Sequence, residues 1–131
     1  MKYRFVVWGI VAAALASAVG CRTGVLSPDA DLLSSLRFSP SAFDSFRRNT
    51  ELHYSLSAPA ELQVRIIRRD QEGRETLIRI LATRLSETKG AHAITWLGDT
   101  SERLFAPAGR YIGVVQIGGS LFEAPVEVFH F

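Results

Sequence analysis

The feature that most constrains this chain is a period-two alternation of apolar and polar side chains that recurs in short segments. In 50–57 (TELHYSLS), Leu52, Tyr54 and Leu56 alternate with Glu51, His53 and Ser55, and in 61–69 (ELQVRIIRR), Leu62, Val64 and Ile66 alternate with Gln63 and Arg65. Successive side chains of a strand point to opposite faces, so this pattern lays one face on a core and leaves the other in solvent. Ala58-Pro59 ends the first segment and Asp70-Gln71-Glu72-Gly73 closes the second in a tight polar turn, so these two strands and their turn are expected as a meander.

The segment 75–83 (ETLIRILAT) is apolar with little alternation; periodicity alone leaves helix open, while its length and its place between strands favour strand. In 91–97 (AHAITWL), His92, Ile94 and Trp96 share a face, with Trp96 expected as a core anchor. A long loop, 98–109, precedes strands at 110–117 and, past Gly118-Gly119-Ser120, at 121–131. With a short strand at 36–38 this makes about seven strands and no helix-bearing crossover, which predicts an all-β fold, a single antiparallel β-sandwich over 36–131.

Ahead of this domain, Met1 to Arg4 carries two positive charges, residues 5–19 are an uncharged apolar run of 15, and Gly20 and Cys21 follow. That is the layout of a secretory signal, and the run is short of the roughly 20 apolar residues a spanning helix needs. Ala18-Val19-Gly20 before the only cysteine resembles the lipobox of bacterial lipoprotein precursors. The resemblance implies cleavage after residue 20 and acylation of the Cys21 thiol, giving a signal peptide at 1–20, a lipid-anchored linker at 21–35 and the domain at 36–131. An ordinary signal with a chance cysteine and an uncleaved anchor are the alternatives. A lone cysteine has no disulfide partner within its own chain, which favours lipidation. In that family the residue after the cysteine directs sorting; Arg22 stands there rather than Asp, which implies the outer membrane. The linker is rich in turn-forming residues, with one short helical turn expected at 29–36.

Of the 15 basic residues, only Lys2 and Arg4 precede Cys21, so beyond it 13 basic residues face 13 acidic ones. A neutral domain lacks the positive excess of a nucleic-acid binder.

A second resemblance rests on order and spacing. Phe38-Ser39-Pro40, then 50–56 with Ala58-Pro59-Ala60, Gly90-Ala91-His92, Trp96, Gly98 and Ala108-Gly109-Arg110-Tyr111 resemble the immunoglobulin-like domain of the flagellar hook-capping protein (FlgD-type) over about residues 36–118. It implies an immunoglobulin-like sandwich with a structural, non-enzymatic role. Where the family has Asp after the tryptophan, this chain has Leu97.

The chain shows no phosphate loop, nucleophile elbow or metal-ligand spacing, so neither catalytic residues, a cofactor nor a bound metal is expected. His53, His92 and His130 read as strand residues, and Asp99-Thr100-Ser101-Glu102 lacks the spacing of calcium loops. Two features carry binding expectations. Arg65, Arg68, Arg69 and Arg74 surround one hairpin, and their guanidinium forks suit an anionic envelope component such as a lipid head group or lipopolysaccharide. Phe129 and Phe131 on the closing strand offer a docking patch for an envelope protein, or an edge for strand addition. The leading expectation is a membrane-tethered envelope lipoprotein with a structural or protein-interaction role; the Arg-rich hairpin as an anion-binding module is the alternative.

Overall fold

A computed structural model describes residues 31–130. Residues 1–30, with the expected signal and Cys21, lie outside the described residues, as does Phe131. The chain forms β1 (Leu33–Ser39), β2 (Ala42–Asp44), β3 (Thr50–Leu56), β4 (Ala60–Arg69), β5 (Glu75–Glu87), β6 (Gly90–Trp96), β7 (Gly109–Ile117) and β8 (Ser120–Phe129). They assemble into a three-stranded sheet, β1-β3-β6, and a five-stranded sheet, β2-β8-β7-β4-β5. All pairings are antiparallel except β2 with β8. The fold is thus an all-β sandwich, as expected, with eight strands among the described residues.

The core lies between the sheets. Leu52, Tyr54 and Leu56 of β3 face Leu62, Val64 and Ile66 of β4 and Tyr111, Val115 and Ile117 of β7, as the alternation requires. Trp96 is fully buried, with the rings of Phe43 and Tyr111 edge-on at 5.7 and 5.5 Å. Tyr111, near the start of β7, donates its hydroxyl to the Pro107 carbonyl four residues upstream. This matches the tyrosine corner of immunoglobulin-like sandwiches.

Three expectations are corrected. Of the helical turn expected at 29–36, the described part is a 3-10 residue at Asp31 and a turn at Leu32; from Leu33 to Ser39 the chain is strand. Strands β3 and β4 form no meander, because the chain crosses between sheets at Ser57–Pro59 and β4 makes its hairpin with β5. The closing strand β8 is no edge; it lies between β7 and β2. The edge belongs to β2, the unforeseen strand. There the run that begins as β1 leaves the first sheet at the cis Ser39–Pro40 bond and joins the second.

The connections define two poles. Leu33, the Ser57–Pro59 crossing, the β5–β6 turn and the β7–β8 turn lie at the pole where the linker enters. The turn after β2, the 97–108 loop and the end of β8 lie at the opposite, distal pole. The 10 residues of β4 span about 33 Å between them.

Candidate functional site

The distal pole gathers the side chains with the most unusual settings. After β2 the chain turns tightly: the Asp44 carbonyl accepts the amides of Arg47 and Arg48, and Asp44 Oδ1 accepts that of Phe46. These bonds hold Asp44 buried, with its Oδ2 lacking a hydrogen bond but 3.5 Å from Arg47 Nε. Thr50, fully buried, closes the excursion by donating its hydroxyl to the Pro40 carbonyl.

The turn also lifts Phe46 to the surface, half exposed. Its ring stacks on His130 at 4.1 Å and meets Phe105 edge-on at 4.5 Å. Phe105 is held opposite Asp99 in the 97–108 loop, where the Thr100 amide donates to the Leu104 carbonyl and that of Ala106 to the Gly98 carbonyl. Gly98 is obligatory here: φ is +76°, and a Cβ would collide with that of Ser45. Beneath it, Ser45 Oγ lies 3.1 Å from His130 Nε2. A serine beside a histidine is the start of a nucleophile arrangement, but Ser45 is 5% exposed and roofed by Gly98, so no substrate reaches it.

On the other side of the turn lies a groove of about 340 Å³. Pro40, Ala42 and Phe129 form apolar walls, and Asp44, Arg47 and Arg48 supply polar groups. Phe129, expected as a docking residue, is therefore half-buried at the groove rather than projecting from a free edge. Its partner Phe131 lies outside the described residues, as does Cys21.

The four arginines do not converge. By alternation Arg65 and Arg69 lie on the outer face of the five-stranded sheet and Arg68 on the inner one, where its guanidinium carbon sits 5.3 Å above the Tyr111 ring. Arg65 is held by the side-chain oxygens of Gln63 and Gln116 at 3.0 and 3.1 Å. Arg69 binds Glu75 at 2.6 Å and Glu123 at 2.9 Å, tying β5 to β8 across the two strands between them. These bonds push the Arg69 guanidinium pKa up and hold the Glu123 carboxyl below the usual range. Arg74 binds Asp70 and Glu72 within its own turn. The cluster works mainly as a clamp on the hairpin and the outer face.

In the 98–109 loop, the Asp99 carboxylate accepts from Arg79 Nη1 at 3.0 Å and its carbonyl accepts from Trp96 Nε1. At the linker pole, Tyr54 donates to Glu87 Oε2 at 2.9 Å, His92 Nδ1 lies 3.3 Å from the same oxygen, and His92 Nε2 is 2.7 Å from the Thr88 carbonyl. Burial, then the bond to Glu87, raises the Tyr54 pKa. Among the described residues no group of three or more His, Cys, Asp or Glu could hold a metal ion.

Sequence reasoning missed Asp44, Ser45, Phe46 and Phe105. The one signal present was Asp44-Ser45 between two phenylalanines, a turn flanked by apolar residues. No family model matches the chain, and no curated protein matches it.

Proposed function

We propose that this chain is an envelope lipoprotein, acylated on Cys21 and held on the outer membrane, whose immunoglobulin-like sandwich binds an envelope protein without catalysing a reaction. The observation that carries this reading is Ala18-Val19-Gly20-Cys21 at the end of the 15-residue apolar run, with the chain's only cysteine at the acylation position. The geometry is compatible: the described chain enters at one pole, and the groove and the exposed Phe46 and Phe105 lie at the other. The FlgD-type resemblance supports a structural role. The alternative, anion binding by Arg65, Arg68, Arg69 and Arg74, loses support from the carboxylates already bound to Arg69 and Arg74.

The test is metabolic labelling with radioactive palmitate followed by membrane fractionation. Wild-type protein is expected to take up label and to partition with the outer membrane; Cys21→Ser is expected to lose label and accumulate as unprocessed precursor. Label retained by the serine variant refutes acylation at this residue.

A further inference from the structure

We propose that the groove beside β2 captures the C-terminal residue of an extended peptide, its free carboxylate on Arg48 and its apolar side chain on the Pro40, Ala42 and Phe129 walls. The inference rests on the protein-interaction reading above and names the chemistry of the partner. Three independent features of the groove match the three parts of such a ligand.

The first is charge. Asp44 and Arg47 form an ion pair at 3.5 Å and cancel, whereas Arg48 is exposed and makes no ion pair among the described residues. One guanidinium thus sets the sign of the groove, and its planar fork matches a carboxylate in a bidentate hydrogen-bonded pair. The second is apolar volume: about 340 Å³ is at the small end of ligand pockets and takes one large apolar side chain.

The third is backbone. Strand β2 ends its sheet, and the Ser41 carbonyl accepts the Glu127 amide. Alternation along the strand then turns the N–H and C=O of Ala42 away from β8, toward the side where the sheet has no further strand. An extended segment can pair with that edge while its last side chain enters the groove, which combines strand addition with capture of a chain terminus. A free fatty acid would use the charge and the volume but not the edge, so the edge favours a peptide.

The test is a heteronuclear NMR titration of the full chain purified in detergent with N-acetyl-Val-Val-Phe, with its C-terminal amide and with decanoate. Saturable shifts at Ala42, Phe43 and Arg48 are expected with the free acid. Binding of the amide, which lacks the charge-assisted bond, is expected to be about tenfold weaker or more. Arg48→Ala, a surface change that leaves the fold intact, is expected to weaken the free acid by a similar factor, and Ala42→Trp to block the groove. Equal binding of acid and amide, binding unaffected by Arg48→Ala, or decanoate bound as tightly as the peptide would each overturn the proposal. Absence of saturable shifts with the free acid at millimolar concentration does so too. None of these outcomes touches palmitate labelling of Cys21, so failure of the groove and failure of the anchor are separable.

Discussion

Gly113→Ala is expected to destabilise the domain through a single ring. Gly113 lies on the inward face of β7, and a Cβ built there stands 2.6 Å from Phe38 Cζ and 2.7 Å from its Cε2, with Leu52 Cδ2 at 3.6 Å. Carbon atoms in ordinary contact sit about 3.5–4.0 Å apart, so the Phe38 ring must retreat by about 1 Å. Phe38 belongs to the three-stranded sheet and is 5% exposed, which leaves it little room. Overpacking of this kind costs about 1–3 kcal/mol. At about 2 kcal/mol the melting temperature of a domain of roughly 100 residues falls by roughly 10 °C, and the urea midpoint by about 1 M. Trp96, fully buried and the only tryptophan beyond Cys21, reports unfolding by its fluorescence. Phe38→Leu alone costs about 1–2 kcal/mol, but it removes the obstructing ring atoms, so adding Gly113→Ala in that background is expected to cost little, a coupling of about 1–2 kcal/mol. Gly119→Ala is the control, since nothing lies within 4 Å of its Cβ. Equal costs of Gly113→Ala in the wild-type and Phe38→Leu backgrounds would refute the claim that this glycine exists to admit the Phe38 ring.

Two further predictions concern pH. Burial raises the pKa of Tyr54 and of Tyr111, so the folded state holds both phenolic protons; the stability this contributes is complete below the unfolded value of about 10 and is lost as the pH rises toward the raised folded value. These are the only tyrosines beyond Cys21, so the rise in tyrosinate absorbance should coincide with the loss of Trp96 fluorescence, and a tyrosine titrating at about pH 10 in a folded domain would contradict it. Arg69 lowers the Glu123 pKa, so the stability from this carboxylate is present above the ordinary glutamate value of about 4.3 and is lost as the pH falls through the depressed value. Glu123→Gln should therefore be slightly less stable than wild type at neutral pH, by an amount that solvent screening at the exposed pair keeps small, and the gap should close in acid; urea midpoints that differ equally at both ends of the range would exclude the pairing.

The parts of the fold legible in the sequence are those in which side-chain alternation is uninterrupted. Strands β3, β4 and β6 keep a period of two over most of their length, and their core faces followed from it. Segment β5 hid its pattern because its 13 residues pair with the 10 of β4: three irregularities in the register insert extra residues, so Ile78 and Leu81 pack on the core while Leu77 and Ile80 reach solvent. Strand β2, at 3 residues, is too short to carry a period, and its reason for existing is β8, far away in sequence. The Ser45–His130 contact was equally out of reach, spanning 85 positions. Ala58-Pro59 announced a break without revealing that the chain changes sheets there. The arginine cluster is divided for a physical reason: in a strand, neighbours such as Arg68 and Arg69 point to opposite faces, and each half found its own aromatic or carboxylate partner.

The smallness of the groove and the proposed anchor support each other. One bidentate pair, one buried side chain and one edge backbone pair give only a weak bimolecular contact once the lost translational and rotational freedom is subtracted. Cys21 lies 12 residues before Leu33, a length of chain that reaches at most about 40 Å. With about 33 Å across the sandwich, the distal pole of a protein acylated at Cys21 would stay within about 70 Å of the membrane. A partner held on that same membrane therefore meets the groove at an effective concentration near the millimolar range, where a weak site is occupied, whereas a diffusing partner at micromolar concentration leaves it empty. On the proposed reading, tethering at one pole is the condition under which so small a recognition surface at the other would suffice.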